Sequence, residues 1–312
     1  MKEFSMFSGI GGFELGAKMA TEDIEFVGYS EIDKYAIQVY EKHFPGVKNY
    51  GNATTIDGEQ LPDFDLLVAG FPCQAFSVAG NREGFNETRG TLFFEIARIL
   101  SIKRPRYLLL ENVKGLLSHD KGKTFQTILR VLSDLGYGVE WQVLNSKDYG
   151  VPQNRERVFI VGSLENKIPD NFFSFTYPNT IPNITDIIKP TVDEKFYYRS
   201  DKYMYKDLIK HITSKDTFYQ WRRVYVRENK NNICPTLTAN MGTGGHNVPL
   251  ILTNDGVRKL SPTEVERLQG FPDEWTGGLS DTQRYKTLGN AVTTTVVKAV
   301  MERLLIKIEE NQ

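Results

Sequence analysis

The sequence predicts an α/β fold: a doubly wound, Rossmann-like, mostly parallel sheet with a second, smaller and irregular domain. Three observations predict it. Strand-like and helix-like stretches alternate over the first 165 residues, as in parallel sheets covered by helices on both faces. The run Phe64-Asp65-Leu66-Leu67-Val68-Ala69 is almost continuously apolar, as a strand buried on both faces should be. From about residue 169 periodicity fades into a stretch rich in Pro, Asn, Thr, Tyr and Lys, and order returns at Ser261.

The elements follow in order. Residues 2–7 read as a first strand that stops at Ser8-Gly9, and 12–20 as a helix. Residues 24–30 read as a second strand. Residues 35–44 form a helix with Ala36, Val39, Tyr40 and Phe44 along one stripe. Strands are expected at 64–69, 107–110, 139–144 and 158–162, and helices at 93–100 and 124–135, the latter stopped by Gly136. Residues 229–232 and 242–245 are loop signals inside the irregular stretch. Ser261-Pro262-Thr263-Glu264 carries a capping box with Pro at the first helical position, and 293–308 is a long terminal helix.

Composition narrows the class. The chain has 312 residues, 40% of them hydrophobic, enough for a real core. Two cysteines far apart exclude a disulfide framework and suit a reducing compartment. No run of about 18 apolar residues is present, and the first residues lack a secretory pattern, so a cytoplasmic protein is expected. The net charge is −1, yet residues 183–258 hold twelve Lys and Arg against eight Asp and Glu. That basic segment suits a lobe that touches nucleic acid, and equally a solvated surface.

Five stretches carry chemistry. Phe7-Ser8-Gly9-Ile10-Gly11-Gly12 follows the first strand and opens the first helix, where glycines admit a ligand and the helix start favours an anion. Its spacing departs from the dinucleotide fingerprint. Glu31, at the end of the second strand, is placed to bind ribose hydroxyls of a nucleoside cofactor. Gly70-Phe71-Pro72-Cys73-Gln74 puts a thiol at the carboxyl edge of the sheet, where such folds bind ligands. Leu110-Glu111-Asn112-Val113 puts a carboxyl at the same edge, in a partly apolar place suited to proton donation. Gln153-Asn154-Arg155-Glu156-Arg157 precedes a strand and offers two guanidinium groups. Taken singly, these also read as a tight turn, an inert buried thiol and salt bridges at loop ends.

Taken together they read otherwise. The order FSGIGG, GFPCQAFS, ENV, QNRER, RLQGFP and YKTLGNAV resembles the cytosine-5 DNA methyltransferases, in particular the compact bacterial modification enzymes. The resemblance covers residues 4–163 and 258–300. It implies the S-adenosylmethionine-dependent methyltransferase fold, with a catalytic and cofactor-binding domain at 1–180, a target-recognition domain and hinge at 181–282, and a returning helix at 283–312. It implies S-adenosyl-L-methionine as cofactor, S-adenosyl-L-homocysteine as product, and no metal. The cofactor residues by resemblance are Phe7, Gly9, Ile10, Gly11, Gly12, Glu31, Ile32, Asn52, Ala53, Pro72, Leu92, Asn290 and Ala291. Asn52 stands where relatives carry an acid for the adenine amino group, with Asp57 as a weaker stand-in. Cys73 would attack cytosine C6, Glu111 would serve N3, and Arg157 would hold O2 with Arg155 in support.

The target carbon lies inside the duplex stack, so the base must flip out. Residues 78–91 suit a loop that closes over it. Ser77, Arg89, Arg222, Arg223, Arg227, Thr236, Asn240 and Gly242 are the candidate DNA contacts, with Lys230 adding charge. Phe196, Tyr197, Tyr198, Tyr203 and Tyr205 are expected in the core, and Cys234 is expected to be structural. The expected partner is double-stranded DNA, with a cognate restriction endonuclease acting separately and no membrane. The chain is expected to be a monomer. Rival readings are a tRNA methyltransferase of the same family, a binding module and a nicotinamide oxidoreductase.

Overall fold

The structure, a computed structural model, describes residues 1–72, 92–164, 168, 171–174, 182–202, 204–222, 224–243 and 249–310. The chain divides into two compact units. One comprises Met1–Leu144, Glu156–Phe175 and Val297–Gln312, the other Asn145–Arg155 and Thr176–Val296.

The first unit is the α/β layer structure that alternation predicts. Its elements are β1 (Lys2–Met6), α1 (Gly12–Ala20), β2 (Glu25–Ser30), α2 (Lys34–His43), β3 (Leu66–Gly70), α3 (Leu92–Lys103), β4 (Tyr107–Val113), α4 (Lys123–Asp134), β5 (Gly138–Asn145) and β6 (Glu156–Ser163). The strands form one six-stranded sheet in the order β2-β1-β3-β4-β6-β5. β1 pairs in parallel with β2 and β3, and β3 with β4. Leu66–Ala69 on β3 and Leu108–Leu110 on β4 are buried on both faces, which is why their apolar runs are unbroken. Phe93, Ile96 and Leu100 from α3 and Phe125, Ile128 and Leu132 from α4 fill the core against them.

Two strand bounds differ from the sequence reading in a way that matters for the site. β4 runs on to Val113, and β6 starts at Glu156 rather than after Arg157. The cause is the antiparallel ladder between them, which pairs Glu111 with Phe159, Asn112 with Val158 and Val113 with Arg157. Main-chain groups that find partners stay extended whatever their side chains. Glu111 and Arg157 therefore project from rigid strands, not from loops.

The second unit is more regular than its weak periodicity suggests. It contains α5 (Ile184–Ile187), α6 (Tyr205–His211), β7 (Phe218–Arg222), β8 (Tyr225–Asn229), β9 (Pro249–Thr253), β10 (Gly256–Lys259), α7 (Pro262–Leu268) and α8 (Asp281–Asn290). The strands make an antiparallel sheet in the order β10-β9-β7-β8. Strands of four or five residues are too short to print an alternating pattern. Leu208, Ile212, Tyr219, Leu250 and Val257 form its core. Phe196 and Tyr197 are buried as expected, Tyr198 packs on that core, and Tyr203 lies outside the described residues. Cys234 is fully buried, and burial pushes its thiol well above the usual range, so it is inert.

Ser261 caps α7 with the predicted box to Glu264, and Glu264 also holds Arg258 in a buried ion pair at 2.6 Å. α9 (Thr294–Glu310) is the terminal helix that 293–308 predicted. Among the described residues, no helix is long and apolar enough to cross a membrane.

Candidate active site

The glycine loop between β1 and α1 turns sharply. Phe7, Gly9 and Gly11 all have positive φ, at 56°, 57° and 81°. Phe7 holds a conformation that non-glycine residues avoid, which marks a place where the fold dictates geometry. A Cβ on Gly11 would collide with the Phe44 ring, whereas the space beside Gly9 is open. Gly11 caps α1 without a side chain, so the first-turn N–H groups keep their capacity for an anion. Ile10 and Gly12 are buried beneath the turn.

Glu31 anchors this loop. Its Oε2 accepts from Gly9 N at 2.8 Å, and its Oε1 accepts from Ile32 N and Asp33 N, each at 2.8 Å. A carboxylate offers about four lone-pair sites, so three N–H donors leave room for a hydroxyl. Ile32 is 70% exposed, an apolar side chain beside that carboxylate with no protein cover.

Asn49, which sequence reasoning missed, ties the neighbourhood together. Its Oδ1 accepts from Glu31 N and Gly51 N, and its Nδ2 donates to Glu31 O. Asn52 is exposed, and its Oδ1 already accepts from Thr54 N and Oγ1, both at 3.0 Å. The amide oxygen proposed to receive an adenine amino group is thus engaged in capping a short turn. Ala53 is buried, and its carbonyl accepts from Arg98. Asp57 likewise caps a turn through Glu59 N. Pro72 is exposed after β3, and Leu92 opens α3. The open space at Gly9, the anchored acid and the bare apolar Ile32 fit a cofactor that carries a nucleoside and a carboxylate.

The strand-end residues come together as a pair. Arg157 Nε lies 3.0 Å from Glu111 Oε1, with 16% and 11% of the two side chains exposed. Glu111 faces Phe159 across the ladder, so Arg157, two residues along β6, is its diagonal neighbour on the same face. The carboxyl that sequence reading placed in a partly apolar site is therefore ion-paired.

Asn112, within the motif but not assigned a role, points the other way. It is buried, and its Nδ2 donates to Phe71 O at 2.8 Å while its Oδ1 accepts from Val113 N. It thereby pins the main chain two residues before position 73. Cys73 itself lies outside the described residues, as do Ser77, Arg89, residues 78–91 and Arg223.

Arg155 is only two residues from Arg157 but serves elsewhere. It is 2% exposed. Its Nη1 donates to Leu237 O at 3.0 Å, and its Nη2 donates to Gly289 O at 3.3 Å and Ala291 O at 2.8 Å. These contacts hold main chain, where the sequence reading had Arg155 supporting a base.

The DNA candidates of the second unit fall into two groups. Arg222, Arg227 and Thr236 line one cavity of about 630 Å³, together with Lys147, Asn154 and Gln220. Lys147 and Gln220 were not picked out by sequence, because neither belongs to a cluster of like residues. Thr236 Oγ1 donates to Asn154 O at 2.6 Å. The second group is not part of that lining, although Asn240 is bonded to Thr238, which is. Asn240 is exposed and accepts from Thr238 Oγ1, and Gly242 is set against Tyr285, whose Cδ2 would be 2.8 Å from an added Cβ. Asn290 ends α8, and Ala291 follows in extended conformation. Among the described residues, no group of three or more His, Cys, Asp or Glu is arranged to hold a metal.

Known proteins share this chain's sequence and fold. The sequence profile of the C-5 cytosine-specific DNA methylases matches residues 1–305. The Type II methyltransferase M.Bsp6I of Bacillus sp. (strain RFL6) is 46% identical over 307 residues, 96% of this chain and 97% of that protein. The Type II methyltransferase M1.ScrFI of Lactococcus lactis subsp. cremoris is 41% identical over 328 residues, spanning 100% of this chain and 79% of that protein. The fold matches the crystal structure of the S. pombe Dnmt2 methyltransferase with a TM-score of 0.79 at 19% identity, over 99% of both chains.

Proposed function

The chain belongs to the C-5 cytosine-specific DNA methylase family, and from that premise we propose that it methylates carbon 5 of a flipped-out cytosine in duplex DNA through a covalent adduct on Cys73. The observation that carries the reading is the Glu111–Arg157 pair at 3.0 Å. Cytosine presents O2 and N3 as adjacent acceptors. A guanidinium and a carboxyl side by side on rigid strands can meet both, with Arg157 donating to O2 and Glu111 sharing a proton with N3.

Cytosine C5 is too weak a nucleophile to take a methyl group unaided. The Cys73 thiolate adds to C6, and the displaced ring electrons move toward N3, where Glu111 supplies a proton that it has taken up from solvent as the base replaces it on Arg157. C5 then carries enamine density. Bound S-adenosyl-L-methionine supplies an electrophilic methyl group for that carbon. Loss of the C5 proton to a water-borne base expels the Cys73 thiolate and restores the ring, and the N3 proton returns to Glu111. Asn112 holds the Phe71 carbonyl, two residues before Cys73 in the chain.

The residues that suit the cofactor are the turn Phe7–Gly12, Glu31 for the ribose hydroxyls, and Ile32 for the adenine face. In the second unit, Asn290 and Ala291 are assigned to its methionine end. Arg222, Arg227 and Thr236, with Lys147, supply a basic lining suited to DNA phosphates and base edges. The relatives are named as type II methyltransferases, which supports a protective role beside a separate cognate restriction endonuclease. A monomer in the cytoplasm is the setting proposed for it.

Covalent trapping tests this reading. Protein and S-adenosyl-L-methionine are mixed with a randomised duplex library carrying 5-fluorocytosine and run on a denaturing gel. Fluorine cannot leave as a proton does, so a DNA adduct is expected, lost in Cys73→Ser, and the trapped DNA reports the target sequence. No adduct on DNA together with an adduct on tRNA would reassign the substrate. No adduct on either would remove the covalent mechanism.

A further inference from the structure

Four separated segments of the second unit are fastened to one node. Pro152–Arg155 is the first. Pro152 O accepts from Cys234 N, and Asn154 N donates to Cys234 O, each within 2.8 Å. Gln153 Oε1 accepts from Leu237 N at 3.1 Å, and its Nε2 donates to Leu268 O and to Gln269 Oε1. Gln269 in turn donates to Leu288 O at 2.7 Å and to Ala291 O at 3.3 Å, and accepts from Thr293 Oγ1. Arg155 closes the circuit, holding Leu237 on one side and Gly289 and Ala291 on the other. Gln153, Arg155, Gln269 and Thr293 are each 2% exposed or less. Carbonyls buried this deeply need these donors, because an orphaned polar group costs about 1–3 kcal/mol. The segments therefore shift together or lose hydrogen bonds.

The node joins two stretches to which the proposed function gives ligands. One carries Thr236, on the basic cavity lining. The other carries Asn290 and Ala291, assigned above to the cofactor. We propose that Arg155 is a positioning residue that couples them, so that occupancy of the 289–291 stretch changes the affinity of the 236–238 stretch for DNA. This rests on the proposed function, which supplies both ligands. Arg155 thus acts through main chain, and its planar fork serves three carbonyls where a lysine ammonium would reach fewer. Coupling between two ligands is reciprocal and typically spans about 5-fold to 150-fold.

The test measures Kd for a labelled duplex of the trapped target sequence, with and without saturating S-adenosyl-L-homocysteine, which cannot react. Wild type is expected to bind DNA about 10-fold tighter with it. In Arg155→Lys that ratio is expected to fall below about 2, while S-adenosyl-L-homocysteine binding itself persists. Thr293→Val, which removes only the hydroxyl that bridges Gln269 and Ser146, is expected to lower the ratio at least 2-fold and serves if Arg155→Lys does not fold. A wild-type ratio near 1, or a ratio unchanged in the folded variant, overturns the coupling role and leaves the methyltransferase reading intact. Binding of neither ligand by wild type overturns the reading beneath it.

Discussion

Arg157 Nε and Glu111 Oε1 stand 3.0 Å apart on antiparallel strands of one sheet, as an ion pair on one face of it. Removing either side therefore does more than delete a contact to substrate, because it leaves a largely buried opposite charge alone. Glu111→Gln is expected to slow methyl transfer by about 100-fold or more, the usual loss for a general acid. Glu111→Gln with Arg157→Ala should cost much less than the two single losses combined, since the groups act as a unit. Single-turnover rates on the trapped target sequence decide this. A near-normal rate for Glu111→Gln removes its assigned role.

Cys73→Ser separates chemistry from binding. Turnover should vanish while S-adenosyl-L-homocysteine binding by calorimetry stays near wild type. Substantial residual methylation would sink the covalent route.

Asn112 tests positioning without touching the base. Asn112→Ala removes the donor to Phe71 O and leaves that buried carbonyl unpaired, a loss of order 1–3 kcal/mol. The expected outcome is a kcat lowered about 10-fold or more with cofactor affinity unchanged. An unaltered kcat would mean that the approach to position 73 is held by other contacts.

The basic lining of the second unit predicts a salt signature. Arg222→Ala and Arg227→Ala should each lower the slope of log affinity against log salt by about 1 if each guanidinium meets a phosphate. A variant that weakens binding with the slope intact instead contacts a base.

Stability should depend on pH through a buried acid pair behind the glycine loop. Glu14 on α1 and Glu3 on β1 are both fully buried, near Ser5, Tyr29 and Tyr40. Burial pushes the Glu14 carboxyl up to about 7. Burial, then repulsion from Glu14, raises Glu3 as well. A carboxyl whose folded pKa lies above its unfolded value keeps its proton longer when folded. Stability is then greatest below about pH 4.5 for this term, and falls as pH rises toward about 7. Glu14→Gln should flatten that fall and raise Tm at pH 8 relative to wild type, with little change at pH 5. A wild-type Tm that does not decline between pH 5 and 8 would contradict the assignment.

Much of the fold was legible because the signals are local. The bounds of α1 agree with the sequence reading, since a glycine turn precedes it and a strand follows it. β3 and β4 stand out as unbroken apolar runs because both faces are covered. The strands of the second unit were illegible for the converse reason. Strands of four and five residues in an antiparallel sheet leave too few side chains per face for a period to appear.

By itself the sequence determined the order of motifs, the alternation of strands and helices, and the placing of Glu31 after β2 and of Glu111 toward the carboxyl end of β4, because propensity, periodicity and glycine turns act between near neighbours. Only the tertiary structure decided which distant groups meet. Antiparallel pairing of β6 with β4 set Arg157 beside Glu111, and turned Arg155, two residues earlier, toward Leu237 and Ala291 instead. It also recruited Asn49 and Asn112 as anchors, although nothing in their flanking residues announces it. A buried polar atom takes whichever partner the packed chain brings within about 3 Å, and chain order does not encode that distance.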